Sequence, residues 1–113
     1  TKNLQSISIY VGYYVERKNN NMIKYVIHAK EWRDKINGNS YHSVTVLNTQ
    51  NNVMIASPFT YGYGSQFLQT ASERMIKQGW IKERLKSLDF LHVHNIIEKN
   101  CKKKEVISHG KER

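Results

Sequence analysis

The chain has little cysteine, no long apolar run and no charge in its middle part, and each absence limits the class of protein it can belong to. It has a single cysteine, Cys101, so no disulfide can form within the chain and a small secreted scaffold held by disulfides is excluded. No apolar run approaches the roughly 18 residues that a membrane-spanning helix requires. Charge is missing from the middle of the chain: residues 36–72 contain no Lys, Arg, Asp or Glu, although they are rich in Asn, Ser, Thr, Gln and Tyr.

What the chain does contain is typical of one folded domain. Its 113 residues (13.3 kDa) are 39% hydrophobic and 11% aromatic, which is more than a disordered chain carries. Lys and Arg number 18 against nine Asp and Glu, giving a net charge of +9 and a pI near 9.7. Eleven of the basic residues lie in residues 74–113, beside five acidic ones. A field of this sign attracts nucleic acid, anionic lipid or an acidic protein.

Alternation of apolar and polar residues indicates that the first half of the chain forms strands. The predicted strands are residues 4–15, 22–32, 41–47 and 53–57. Asn-rich or Gly-containing turns separate them at residues 18–21, 37–39 and 48–52. The only proline, Pro58, is expected to end the fourth strand, and residues 59–64 are predicted to be a loop.

A helix is predicted over residues 65–78, since Leu68, Ala71, Met75 and Ile76 follow helical spacing. Ser65 is the expected N-cap, its hydroxyl accepting from a free amide, and Gly79 ends the run. Beyond it, residues 81–88 are predicted as a short helix and residues 90–97 as a strand. A further strand is predicted around Val106 and Ile107.

These elements predict an α+β fold. The expected architecture is an antiparallel four-stranded meander sheet with one main helix packed on a face, plus a small C-terminal helix or strand addition. Residues 1–101 are expected to form a single domain. Residues 102–113 are a basic tail that either follows this domain or belongs to it.

The basic C-terminal third is the predicted source of attraction to nucleic-acid phosphates. Its candidate residues are Lys82, Arg84, Lys86, Lys99, Lys102, Lys103, Lys104 and Lys111. A second set offers flat rings for stacking on unpaired bases, or for a protein interface. This set comprises Trp32, Tyr41, His42, Tyr61 and Tyr63. The alternatives left open are that many of these rings belong to the core and that the lysines are ordinary solvated residues.

The five histidines raise the question of a metal or catalytic site. His92 and His94 have a chelate spacing on a strand, but no set of Cys partners or third carboxylate accompanies them. An enzyme using His28, His42, His92 or His94 as an acid or base is the least favoured hypothesis, because no nucleophile, base and orienting acid can be grouped from the sequence. We therefore predict no catalytic residue, no metal ligand and no cofactor.

Two segments carry a resemblance to a known group of proteins. Residues 32–46 read W-R-D-K-I-N-G-N-S-Y-H-S-V-T-V, and residues 57–71 read S-P-F-T-Y-G-Y-G-S-Q-F-L-Q-T-A. This chain resembles small uncharacterised phage and mobile-element proteins that share a Trp, then G-N-(S/T)-Y-H-S, then P-F-x-Y-G-Y. Residues 102–111 look like their closing R-K-K-D-L-H-x-G-G-K, with Glu105 in place of Asp and a single Gly110 in place of a glycine pair. The resemblance implies a phage-type origin and implies nothing about chemistry.

Together these features favour a small phage-type binding protein that contacts DNA or RNA. The alternative is an anti-defence or host-takeover inhibitor that acts by contact with an acidic host or defence protein, for which a neutral Tyr-rich face would suit an interface core. No membrane association is expected, and a homodimer formed through an open sheet edge is a further hypothesis. The expected location is the cytoplasm, that of the host cell if a phage encodes the chain.

Overall fold

The computed structural model describes residues 23–111. The predicted strand at residues 4–15 and the turn at residues 18–21 lie outside this range. Three strands follow one another as antiparallel hairpins: β1 (Tyr25–Asp34), β2 (Asn39–Asn48) and β3 (Val53–Tyr61). They confirm the strands predicted at residues 22–32, 41–47 and 53–57, with longer C-terminal ends.

The β1–β2 turn forms where the Asn37-Gly38 pair predicts it. Gly38 has φ +72°, a conformation that costs glycine little and other residues more. The Asp34 carboxylate accepts hydrogen bonds from the backbone N–H groups of Ile36 (3.0 Å) and Asn37 (3.3 Å). It also accepts one from the Asn37 side chain, and these bonds lower the pKa of Asp34. The turn is therefore built from its own polar groups, as expected for Asx-type turns.

The fourth strand corrects the expected topology. β4 (Val93–Glu98) pairs in parallel with β1, so the sheet is mixed and its order is β3-β2-β1-β4. The expected antiparallel meander is wrong. The strand predicted at residues 90–97 forms from Val93 onward, and it lies beside β1 as part of the sheet rather than as a separate addition. A long connection containing a helix separates it from β3, and such a connection permits parallel pairing.

Pro58 does not end β3, which continues to Tyr61. Among the strands that the structure describes, β3 lies at the edge of the sheet, where a residue without an N–H group is tolerated when that position faces away from β2. The pairing of β3 with β2 also shifts register opposite His42 and Val44, so a bulge accommodates the proline. The predicted loop at residues 59–64 is therefore partly strand.

The main helix, α1 (Gln66–Gln78), confirms the prediction for residues 65–78. The Ser65 side chain makes no capping hydrogen bond, contrary to expectation, whereas Gly79 ends the helix at φ +85°. α1 packs its apolar side on one face of the sheet and closes the main core. This core contains Ile27, Ala29, Val44, Val46, Ile55, Phe67, Ala71, Met75 and Val93.

The segment after α1 is irregular. The helix predicted at residues 81–88 is absent there, and a short 3-10 helix occupies Asp89–His92 instead. Ile81 and Leu85 pack against the main core, and the Leu85 N–H donates to the Ser72 hydroxyl at 3.2 Å. The spacing of Ile81 and Leu85 therefore results from the packing of an irregular segment on the core and does not indicate a helix.

A second helix, α2 (Lys103–His109), packs on the sheet face opposite α1. The strand predicted around Val106 and Ile107 is therefore wrong. Val106 is fully buried, and its carbonyl accepts a 2.6 Å hydrogen bond from the hydroxyl of Ser43, which is also fully buried. Gly110 follows so closely that a Cβ there would lie 2.7 Å from the Ser57 carbonyl oxygen. Within residues 23–111, no helix is long and apolar enough to cross a membrane.

Candidate nucleic-acid interface

Four aromatic side chains form a row across β1, β2 and β3 on the face that carries α2. Trp32 pairs with Tyr41, and Tyr41 pairs with Tyr61, so the sheet register places these rings side by side. The Tyr41 ring is stacked on Trp32 (5.7 Å between centroids) and on Phe59 (4.9 Å), and it meets Tyr61 edge-on (5.7 Å). We call these four residues the aromatic row. Three of its rings are half-buried, while Tyr61 is 60% exposed, so the row presents a ring surface to solvent.

Sequence reasoning assigned three members of this row and missed Phe59. Phe59 follows Pro58 and lies in residues 59–64, which were expected to form a loop. The β3 bulge instead carries Phe59 onto the α2 face, within 4.9 Å of the Tyr41 ring centroid. The bulge changes which side chains face which way, and the strand alternation does not predict it.

Lysines at the start of α2 lie beside the aromatic row. The Lys103 ammonium is 5.3 Å from the centroid of the Trp32 ring, within the range of a cation–π contact. Lys102 and Lys104 flank it, and all three side chains are exposed. The Glu105 carboxylate accepts from the Lys102 N–H at 3.1 Å and fixes the first turn of the helix. Cations and flat rings thus share one surface, although they lie some 40 to 70 residues apart in the sequence.

The other predicted basic residues are not brought to this surface. Lys82, Arg84 and Lys86 lie in the irregular segment that packs on the α1 side. Arg84 approaches Glu73 at 3.9 Å, and Lys86 pairs with Glu83 at 2.7 Å. The hydrogen bond between the latter two raises the pKa of Lys86 and lowers that of Glu83. These charges are therefore partly neutralised within the segment.

Two more predicted basic residues lie beyond the ends of regular elements. Lys99 follows β4, and Lys111 follows α2 after Gly110. Both side chains are exposed. The Lys111 N–H donates to the Ser108 carbonyl at 3.3 Å, and among residues 23–111 no ion pair or ring contact joins either side chain to the aromatic row.

His42 has a different position from the one expected of a stacking ring. Its side chain points to the face of the sheet that carries α1, whereas the preceding residue, Tyr41, points to the other face. The His42 side chain is only 3% exposed. Nδ1 donates to the Gly62 carbonyl at 3.1 Å, since a carbonyl can only accept, and Nε2 lies 2.7 Å from the Thr70 hydroxyl. His42 thus connects β2 to the loop before α1 and to α1 itself.

Tyr63, the remaining predicted ring, lies in the loop that enters α1. It is 64% exposed, and its N–H donates to the Gln66 side-chain carbonyl at 3.0 Å. Gly62 precedes it at a point where a Cβ would lie 2.7 Å from His42 Cε1. The Y-G-Y-G loop is therefore shaped by close packing on His42, and Tyr63 is not a member of the aromatic row.

A second group of polar side chains lies on the same sheet face, where β1, β4 and α2 meet. His28 Nε2 is 2.6 Å from Glu98 Oε2, and Lys30 Nζ is 3.8 Å from the same oxygen. The His109 ring meets the His28 ring edge-on at 4.6 Å, and His109 Nε2 donates to the His28 carbonyl at 2.8 Å. We call these four residues the His28 cluster.

The pKa values in the His28 cluster are shifted by contact and burial. The hydrogen bond from His28 lowers the pKa of Glu98, and Lys30 adds to this effect. Burial lowers the pKa of His109 from 6.5 to about 4, so this ring is neutral at pH 7. No carboxylate could be assigned to His28 from the sequence. The parallel β1–β4 pairing brings the Glu98 carboxylate within hydrogen-bond distance of the His28 ring.

A metal site is not evident in the part of the chain that the structure describes. No three or more His, Cys, Asp or Glu side chains there are arranged to hold a metal ion. His92 ends the 3-10 helix and His94 lies in β4, so the two are not on one strand as predicted.

No protein-family model matches this chain, and no curated protein or solved structure matches it either. The resemblance to phage proteins stays a prediction. Function must be inferred from the geometry of residues 23–111.

Proposed function

We propose that this protein binds unpaired nucleic acid on the sheet face formed by the aromatic row and the lysines of α2. The observation that carries the proposal is the placement of the Lys103 ammonium over Trp32, within a continuous row of rings. Single-strand binders combine stacking rings with cations that follow the backbone. Both components occur here on one surface.

The aromatic row supplies the stacking component. Base stacking on an aromatic ring contributes about 1–3 kcal/mol per base and accepts any base, because every base has a flat face. Tyr61 is the most exposed ring of the row and Trp32 the one closest to a cation. We expect these two rings to contact bases first.

The charge distribution supplies the backbone component. Lys102, Lys103 and Lys104 adjoin one end of the row, while residues 36–72, which include most of the row, carry no charge. Phosphates would therefore be held at the α2 side, with bases directed across the neutral rings. A duplex hides its base faces, so this arrangement favours single strands over duplex.

Trp32 fluorescence offers a direct test. The chain has two tryptophans, and Trp80 stacks on Tyr25 beside the core, so W80F leaves Trp32 as the only reporter. Titration with single-stranded DNA and RNA at low salt should quench Trp32, and the affinity should fall as salt rises. Duplex of the same sequence should bind more weakly.

Matched variants separate the interface from general charge. Y61A and K103A should each weaken binding about 10-fold, whereas Y63A and K86A, which remove an exposed Tyr and an exposed Lys elsewhere, should change it less than 2-fold. Binding weaker than millimolar at low salt, or equal effects of all four variants, would refute the proposal. The anti-defence alternative, contact with an acidic protein, would then become the leading hypothesis.

A further inference from the structure

The His28 cluster has the parts of an acid–base centre. Glu98 accepts from His28 Nε2, and this tautomer leaves Nδ1 as the basic nitrogen. Within residues 23–111, Nδ1 of His28 takes part in no hydrogen bond, and the side chain is 22% exposed. A carboxylate that orients an imidazole in this way is the arrangement used for general bases in enzymes.

The neighbours of His28 hold the ring in place. The His109 N–H group binds the His28 carbonyl, and the His109 ring packs edge-on against the His28 ring. Lys30 lies two residues further on the same face of β1, about 6.6 Å along the strand, and its ammonium also faces Glu98. The half-exposed ion pair between Lys30 and Glu98 adds little to the stability of the fold. It does place an ammonium group beside the His28–Glu98 pair.

The cluster lies on the same sheet face as the aromatic row. His28 and Trp32 are four residues apart on β1, about 13 Å along the strand. A single strand stacked on Trp32 would bring a phosphodiester near His28 within a few nucleotides. This step rests on the proposed binding of unpaired nucleic acid.

We propose that the His28 cluster cleaves single-stranded RNA by metal-independent transesterification, with His28 as the general base and Glu98 as its positioning residue. His28 Nδ1 takes the proton of a ribose 2′-hydroxyl, and the 2′-oxygen forms a bond to the adjacent phosphorus. The bond from phosphorus to the 5′-oxygen breaks, and the Lys30 ammonium donates a proton to that oxygen.

The products are a 2′,3′-cyclic phosphate and a 5′-hydroxyl end. Once the proton taken by His28 is released to water and Lys30 regains one, both groups return to their starting state. The reaction consumes no metal, water or oxidant. It also requires the 2′-hydroxyl, so DNA would bind without being cut.

The test uses the full chain and an end-labelled single-stranded RNA in excess EDTA. Wild-type protein should yield fragments with 2′,3′-cyclic phosphate ends, and the same sequence with 2′-O-methyl riboses should bind and stay intact. H28A should lose at least about 100-fold in rate, and added free imidazole should restore part of it. K86A, which removes an exposed lysine in the segment on the α1 side, should keep the wild-type rate.

The positioning role of Glu98 is tested by separate measurements of the cleavage rate and of RNA binding. E98Q should lower the rate at saturating RNA about 10-fold and leave unchanged the RNA concentration that gives half-maximal rate, as expected of a residue that acts through His28. Binding of the 2′-O-methyl RNA should be the same in wild type, H28A and E98Q. Binding without cleavage, or equal cleavage by H28A and wild type, would overturn this inference and leave the binding proposal intact. Absence of binding to the 2′-O-methyl RNA would overturn the binding proposal itself.

Discussion

Replacing His109 with Gln tests whether this buried ring makes the fold sensitive to acid. His109 Nε2 donates to the His28 carbonyl at 2.8 Å, and Gln can supply a similar N–H donor without a titratable ring. The charged groups facing His109 are His28 and Lys30 from β1 and Glu98 from β4. Burial is the main cause that lowers the pKa of His109 from 6.5 to about 4.

The sign and size of the effect follow from proton linkage. Between pH 6.5 and pH 4 the unfolded chain binds a proton at position 109 that the folded chain does not, so unfolding becomes easier as pH falls. The full shift corresponds to about 3 kcal/mol. From pH 7 to pH 5, and allowing for the solvent-exposed part of the ring, we expect a loss of about 1–2 kcal/mol in the free energy of unfolding. The lowered pKa of Glu98 acts in the same direction, but at a pH below this range.

The assay is urea unfolding of wild type and H109Q at pH 7, 6 and 5. Wild type should lose about 1–2 kcal/mol more than H109Q on going from pH 7 to pH 5. Parallel losses in both proteins would show that His109 is protonated without cost, and the reasoning from burial would be refuted.

Three further predictions concern the attachment of α2 and the main core. S43A should lower the free energy of unfolding by about 0.5–1.5 kcal/mol, because it removes the side-chain donor to the buried Val106 carbonyl while the Gly110 N–H still donates to that carbonyl at 3.2 Å; urea unfolding at pH 7 measures this, and no change would mean that the bond adds nothing. G110A should speed hydrogen exchange of the α2 amides, because the added Cβ would lie 2.7 Å from the Ser57 carbonyl oxygen. Unchanged exchange would mean that the chain relaxes without detaching α2. M75A should cost about 2–5 kcal/mol in urea unfolding, since Met75 is fully buried, and a cost under 1 kcal/mol would contradict the packing described for the main core.

The local elements could be predicted from the sequence because short-range signals determine them. The alternation in residues 41–47, the Asn37-Gly38 turn and the helical spacing over residues 65–78 all correspond to elements of the structure. The α+β class followed from these elements. Each depends on residues within a few positions of one another.

The errors involve pairings between distant residues. β4 lies beside β1 because of pairs such as Tyr25 with Val93, and no local pattern indicates such a partner. Val106 has apolar neighbours that suit a strand, but the Ser43 hydroxyl and the sheet surface hold that segment as a helix. Pro58 is tolerated only because β3 is an edge strand with a bulge.

For the candidate sites as well, single residues could be predicted from the sequence but their contacts with distant residues could not. Trp32, Tyr41 and Tyr61 could be named in advance, because aromatic residues in a strongly basic chain suggest stacking on bases. That they form one surface with Phe59 and Lys103 required the register and the position of α2. The association of His28 with Glu98 and His109 joins residues about 70 and 80 positions apart, and no local pattern indicates it.

The parallel β1–β4 pair has a consequence for the order of folding. β1, β2 and β3 can pair as soon as residues 25–61 are available, because each hairpin closes a short loop. β4 and α2 can join only after a far longer loop has closed, and until then one side of the central strand β1 has unpaired amides. During synthesis, a partly made chain therefore passes through a stage in which β1 can pair with a neighbouring copy of the same chain. β4 and α2 remove this hazard when they pack on β1, so slow closure of the connection between β3 and β4 would lower the yield of folded protein.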